Sequence, residues 1–117
     1  ALAINPQFIP ALKNLAIANH DIGQDLIAEQ QMRQYLAENT EDRVMLGRHV
    51  HVLGKLQRFD EAKTLAEIAI QKFPMDLQLR TWLANYYQST GNAAEADKHR
   101  KVAHRLQAKT GTGSGLP

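Results

Sequence analysis

The histidines have the widest chemical range of any residues in this sequence, because imidazole can bind metals and transfer protons near neutral pH. His49 and His51 are two residues apart, so on a helix their side chains diverge by about 200°. His99 and His104 are five residues apart and diverge by about 140°. Neither pair can share a metal ion, and we expect no metal site. His49 is expected to make one hydrogen bond at the edge of a core, and His51 to face solvent or a groove.

Nucleophilic and phosphate chemistry are not indicated either. Ser89 and Ser114 are the only serines, one near a predicted helix end and one in a glycine-rich tail, which does not favour a Ser–His–Asp arrangement. The GTGSG run lacks the Lys-Ser/Thr pair and the preceding strand of a phosphate-binding loop. The sequence therefore predicts a protein that is not an enzyme and that uses no cofactor.

A basic run lies near the C-terminus. Its members are Lys98, Arg100, Lys101, Arg105 and Lys109. Such a run could contact nucleic acid or an anionic membrane surface, but Glu95 and Asp97 dilute it and no Phe, Trp or Tyr is interleaved. The net charge of the whole chain is +2. We interpret the run as a solvated helix face and expect no nucleic-acid partner.

Composition favours packed helices. The 117 residues are 44% apolar and 6% aromatic, which suits a single core of Ala and Leu better than a sheet. With no cysteine, there is no disulfide or thiolate site, and the compartment stays open between cytoplasm and periplasm. No apolar run approaches the ~20 residues of a membrane span, and the start, ALAINP, lacks the basic residues of a signal peptide.

Residues 43–76 show the helical pattern most clearly. One apolar stripe consists of Leu46, His49, Val50 and Leu53. A second stripe, before a stop at Pro74, consists of Ala62, Leu65, Ala66, Ala69 and Ile70. These spacings predict two amphipathic helices separated by Gln57-Arg58, and thus a helical hairpin.

The hairpin recurs when the sequence is shifted by 34 residues. Matched positions are Ala28, Ala62 and Ala96; Ala16, Val50 and Ala84; Leu15, His49 and Leu83; Gly23, Gln57 and Gly91. Together with Phe59-Asp60-Glu61-Ala62 and Pro74, this period resembles the tetratricopeptide repeat. The resemblance covers the chain to about Lys109. It implies an all-α fold, a right-handed α-solenoid of three helix-turn-helix hairpins with about six helices.

The period sets the expected boundaries. Residues 1–8 are expected to be the end of a preceding repeat helix and a linker; 9–42, 43–76 and 77–109 the three hairpins; 110–117 a flexible tail or a cloning remnant. ALAINP is similar to AIQKFP two periods later, so we expect the C-terminal portion of a longer array.

Individual helices can also be predicted. We expect helices at 7–20, 25–38 and 93–109, with Thr40 as the N-cap of the third helix and Asn92 with Glu95 capping the sixth. Inward residues are expected to be Leu12, Leu15, Ala16 and Asn19 on the first helix, and Ala28, Met32 and Tyr35 on the second. Tyr87 is expected to pack on the last helix, which turns His99, Arg100 and His104 to solvent as a polar cap.

In this family the first helix of each hairpin lines a concave groove where partners bind. Carried over position by position, the resemblance implies these groove residues: Lys13, Ile17, His20 and Asp21; Val44, Gly47, His51, Gly54 and Lys55; Gln78, Thr81, Asn85 and Gln88. Residues 17, 51 and 85 should form one row. The family's clamp for acidic chaperone tails is incomplete, because Ile17 replaces an asparagine and Gln78 a lysine.

The resemblance thus implies an interaction scaffold that binds a protein or peptide segment in its groove, without catalysis. Two alternatives stay open. The chain could be a regulatory or targeting domain of a larger enzyme, or it could self-associate through an exposed N-terminal repeat face.

Overall fold

The structure is a computed structural model that describes residues 9–115, with side chains described for residues 11–108. Its elements are α1 (Ile9–Asp21), α2 (Asp25–Glu38), α3 (Arg43–Lys55), α4 (Phe59–Lys72), α5 (Leu77–Ser89) and α6 (Ala93–Gly115). No strand occurs between residues 9 and 115. For residues 9–115, the predicted all-α class with about six helices is confirmed. The expected end of a preceding repeat, at residues 1–8, lies outside the described residues.

The chain divides into two compact units, residues 1–62 and 63–117, and the division falls inside α4. In the first unit α1 packs on α2 and α2 packs on α3; in the second, α5 packs on α6. Ala28, Ala62 and Ala96, the small residues matched by the sequence period, are all 0% exposed. Small side chains at such positions let helices approach closely.

Three turns share one backbone conformation. Gly23 and Gly91 both have φ +84°, and Gln57, midway between them in sequence, has φ +61°. Each is followed by an amide that donates to the carbonyl five residues back: Gln24 to Asn19 at 2.8 Å, Arg58 to Leu53 at 2.9 Å and Asn92 to Tyr87 at 2.8 Å. This closure is typical of a helix that ends in a left-handed residue. The 34-residue sequence period is therefore also a period of local structure.

Gln57 is the member of this set that carries a side chain. A left-handed conformation disfavours an L-residue by about 1–2 kcal/mol, whereas glycine loses about 0.5–1 kcal/mol more chain entropy on folding. We therefore expect Gln57→Gly to raise the free energy of unfolding by roughly 0.5–1 kcal/mol, measured by urea denaturation. Gln30→Gly, at an exposed position in the interior of α2, is the control and should lower it by about 1 kcal/mol. A destabilised Gln57→Gly would contradict the argument.

Aspartates begin two helices one period apart. Asp42 accepts a hydrogen bond from the Met45 amide at 3.2 Å, and Asp76 accepts one from the Leu79 amide at 2.9 Å. The prediction of Thr40 as the N-cap of α3 is wrong, because α3 begins two residues later than that cap requires. The predicted cap of α6 is confirmed: the side chain of Asn92 accepts from the Glu95 amide at 3.2 Å.

Helix ends and faces also differ in places from expectation. α2 has the predicted bounds, and α6 runs six residues beyond its predicted end at Lys109. Leu15 was expected to face inward but is 51% exposed. The reason is that the buried stripe of α1 centres on Ala16, and successive helical residues are about 100° apart.

The last helix contains a second correction. His99 was expected on a polar outer face but is 2% exposed. It lies between Ala96 and Ala103, which are also buried, at spacings of three and four that place all three on one stripe. Its ring stacks on Tyr87, with centroids 5.8 Å apart, which confirms that Tyr87 packs on this helix. His104 is exposed, as expected.

Candidate binding surface

Two predicted groove histidines meet in the first unit. The ring centroids of His20 on α1 and His51 on α3 are 5.5 Å apart. Nη1 of Arg48 donates to Nδ1 of His20 at 3.1 Å, so the neutral His20 ring carries its proton on Nε2. Burial and the charge of Arg48 lower the pKa of His20. At neutral pH this ring is therefore uncharged, and it offers a donor to a ligand beside the exposed His51.

Cations flank this histidine pair, and each has a carboxylate nearby. Arg48 lies 3.3 Å from Asp21, and the ammonium of Lys55 lies 3.8 Å from Asp25. Asp21 and Lys55 were both predicted groove residues. Because positive and negative groups alternate here, the surface is suited to a ligand of mixed character rather than to a strongly acidic one.

Lys13, another predicted groove residue, has a partner inside the first unit. Its ammonium lies 2.8 Å from Asp42 and 5.7 Å from the ring centroid of Tyr35. The hydroxyl of Tyr35 donates to the same carboxylate at 2.7 Å, and the hydrogen bond with Asp42 raises the pKa of Lys13. Lys13 therefore supports the start of α3. Ile17 and Gly47 are half-buried.

In the second unit the predicted groove residues lie on an exposed face of α5. They are Gln78, Thr81, Asn85 and Gln88. Their spacings of three and four residues place them on one stripe. Side-chain amides both donate and accept hydrogen bonds, as the backbone of an extended peptide does. Gln88 already accepts from Arg100 at 3.0 Å.

A buried carboxylate in the first unit was missed by the sequence analysis. Glu29 on α2 is 1% exposed. It accepts hydrogen bonds from Nε of Arg33 at 3.0 Å, from Nη1 of Arg58 at 2.9 Å and from Nε2 of His49 at 2.9 Å. The expected hydrogen bond of His49 is thereby confirmed.

The electrostatics identify this cluster as structural. Burial acts to raise the pKa of Glu29, but the hydrogen bonds from Arg33, His49 and Arg58 outweigh it and lower the pKa from 4.5 to about 2. Burial lowers the pKa of His49 in spite of the adjacent carboxylate. At neutral pH the carboxylate is thus ionised and the imidazole neutral, and the carboxylate is not poised to exchange a proton near pH 7 as a general base would be.

A second buried histidine lies among carboxylates in the second unit. Nε2 of His99 is 3.9 Å from Oε1 of Glu67 and 3.9 Å from Oε1 of Glu95, and it has no hydrogen-bond partner. Its other ring nitrogen, Nδ1, accepts from Nη1 of Arg80 at 3.0 Å. Three potential metal ligands are therefore gathered where none was expected.

The sequence contained part of this signal. Glu95 and His99 are four residues apart, which puts them on one helix face, but a single pair of this kind does not by itself predict a metal site. Glu67 comes from another helix and could not be found by spacing. Nothing in the sequence indicated that Glu29 is buried. The matched residues one and two periods later, Lys63 and Asp97, are also charged, and a position that is charged in every repeat is expected on the surface.

No family model matches the chain, and no curated protein matches it. The resemblance to tetratricopeptide repeats therefore depends on the residues and on local geometry. Within residues 9–115, no helix combines the length and the apolar character that crossing a membrane requires.

Proposed function

We propose that this chain is a tetratricopeptide-like repeat protein, in which three hairpins stack as a right-handed α-solenoid. Two features support the class. Positions 23, 57 and 91 share a left-handed backbone at the predicted period, and the aspartate caps of α3 and α5 keep the same spacing. A repeat of local structure at 34 residues is what this class requires.

The proposed function is to bind a protein or peptide segment in a groove lined by the first helices of the hairpins, without catalysis. The observation that carries this proposal is the contact between His20 and His51. These residues belong to the first helices of successive hairpins, and both had been assigned to the groove. Their proximity supports the side-by-side placement of α1 and α3 that such a groove needs.

The chemistry of the surface indicates which class of ligand it can bind. A half-buried neutral imidazole, His20, lies beside the exposed His51, and α5 adds a stripe of exposed amides and a hydroxyl. These groups pair with backbone N–H and C=O groups, which every extended segment offers. The charged residues nearby are compensated in pairs. The proposed ligand is an extended segment with few net charges.

The test starts from peptides selected on the full chain out of a random displayed library. We expect His51→Ala and Asn85→Ala each to weaken binding of a selected peptide by roughly 2–10-fold, the equivalent of one lost hydrogen bond. Titration by fluorescence anisotropy measures the change, and circular dichroism checks that helicity is intact.

Matched controls are available. His104→Ala and Gln71→Ala remove exposed side chains of the same kinds from α6 and α4, and both should leave affinity unchanged. Undiminished binding by the His51→Ala/Asn85→Ala double variant would place the site on another face and refute the proposal.

Self-association is a second candidate, favoured by Leu15 on α1, an apolar residue that is 51% exposed. Light scattering at high protein concentration distinguishes the two, because a strict monomer excludes self-association. The third proposal, a regulatory or targeting domain of a larger enzyme, is compatible with groove binding and is tested by the length of the intact gene product.

A further inference from the structure

We propose that Glu67, Glu95 and His99 form a binding site for a divalent transition-metal cation of the zinc type, joining α4 to α6 within the second unit. One ligand atom from each residue lies within 4.8 Å of the others. Zinc bonds of about 2.0–2.2 Å in tetrahedral geometry separate ligand atoms by about 3.4 Å. The two 3.9 Å separations from Nε2 of His99 therefore need to close by about 0.5 Å, and the separation of the two carboxylate oxygens, which is within 4.8 Å, by up to about 1.4 Å.

Burial differs among the three ligands in a way that suits this closure. His99 is 2% exposed, whereas Glu67 and Glu95 are half-buried, and Glu95, whose Oε1 lies 3.8 Å from the ammonium of the exposed Lys98, can turn from that lysine toward the cation. Nε2 of His99 is a buried polar atom without a hydrogen-bond partner, facing both carboxylates. Buried polar atoms normally have a partner, and a cation provides one for this atom once the ring proton has moved from Nε2 to Nδ1.

Neighbouring groups already orient the ligands. The hydroxyl of Tyr87 donates to Oε2 of Glu67 at 2.6 Å, which leaves Oε1 directed toward His99. The Tyr87 ring also stacks on the imidazole, with an interplanar angle of 4°. Outer partners of this kind fix the ligands of natural metal sites and are important for affinity.

Arg80 disfavours the binding of a cation at this site. Because Nη1 of Arg80 donates to Nδ1 of His99, the neutral ring carries its proton on Nε2, where the cation must bind. Cation binding therefore moves the ring proton to Nδ1 and breaks this hydrogen bond. Arg80 keeps its second one, from Nε to the carbonyl of Pro74 at 3.0 Å. Removal of Arg80 should consequently tighten binding.

The donor set selects the cation. One imidazole nitrogen with two carboxylate oxygens suits zinc, cobalt or manganese better than calcium, which takes six to eight oxygens. The two carboxylates balance the charge of a divalent ion. Three protein ligands leave a fourth position for water or for a group from a partner.

The test is titration of the full chain with ZnCl₂ by calorimetry, and with CoCl₂ by visible absorption. We expect one zinc ion per chain in this site, and a loss of at least about tenfold in affinity in both Glu67→Gln and Glu95→Gln, since each removes a ligand charge. Asp97→Asn, an exposed acid on the same helix, is the control and should change nothing. Arg80→Met should bind zinc several-fold more tightly. Unchanged affinity in the two glutamine variants would overturn the proposal.

The rings of His20 and His51 also lie close together, so the experiment must distinguish zinc bound at this pair from zinc bound at His99. His51→Ala should leave the tight zinc ion in place; if it abolishes binding, the ion belongs to that pair and the proposal fails. One measurement needs no substitution at the site. On zinc addition, the ring ¹⁵N resonance of Nε2 in His99 should shift while those of His20 and His51 do not, and the reverse pattern would also overturn the proposal.

Discussion

Replacement of Glu29 by alanine is expected to lower the free energy of unfolding by about 3 kcal/mol. The carboxylate is 1% exposed and accepts hydrogen bonds from Arg33, His49 and Arg58. Its loss leaves the buried His49 without its acceptor and opens a small void. Because the two arginines can reach water, the expected effect is at the lower end of the range for broken buried ion pairs. Urea denaturation followed by circular dichroism measures it.

Glu61→Ala is the matched control. Glu61 also pairs with Arg58 but is exposed, so its removal should leave stability nearly unchanged. Equal effects of the two substitutions would contradict the argument from burial. A Glu29→Met/His49→Leu double variant should recover much of the lost stability, because it leaves no buried donor without an acceptor and apolar side chains need no desolvation of a charge.

Lowering the pH should remove the contribution of ionised Glu29 to the free energy of unfolding. A pKa lowered from 4.5 to about 2 in the folded state corresponds to about 3 kcal/mol of stability. This contribution is fully present above the unfolded-state pKa of 4.5 and is lost as the pH falls toward 2. The stability difference between the unsubstituted chain and Glu29→Gln should therefore shrink below about pH 4.5. A constant difference down to pH 2 would show that Glu29 is not ionised in the fold.

Substitution of Ala62 by leucine should lower the free energy of unfolding by about 1–3 kcal/mol, and phenylalanine should lower it further. Ala62 is 0% exposed at the start of α4. Its amide donates to the carbonyl of Arg58 at 3.0 Å, so the backbone has little freedom to move away from a larger side chain. The melting temperature reports the change.

The control for this substitution is Ala18→Leu, which adds the same atoms to an exposed position on α1 and should be nearly neutral. If Ala62→Leu melted at the temperature of the unsubstituted chain, the space beside Ala62 would be larger than close helix packing allows. The interpretation of the alanine series 28, 62 and 96 would then be wrong.

Much of the helical framework could be predicted from local patterns. The bounds of α2 and the cap at Asn92 follow from interactions within a few residues, and these are visible in one stretch of sequence. Gln57 is an exception to this rule, because its left-handed backbone was not predicted, although glycines stand at the matched positions one period away.

The candidate sites depended more on which helices pack together. Lys13 was assigned to the groove from its position, but its partners Asp42 and Tyr35 lie on other parts of the first unit and engage its charge. Thr40 is a residue type that commonly caps helices, yet Asp42 is the N-cap of α3. Asp42 also accepts a hydrogen bond from the hydroxyl of Tyr35. The shared row of residues 17, 51 and 85 stays a prediction.

In this protein, period and amphipathic pattern were enough to predict the helices and the repeated turns of residues 9–115, because helix formation and capping are short-range. The burial of individual charged side chains could not be predicted from these local patterns. Glu29 is buried because Arg58, 29 residues away, and His49, 20 residues away, both reach it. His99 likewise meets Glu67 from another helix. Burial of a charge depends on partners distant in sequence, so folding alone brings such clusters together.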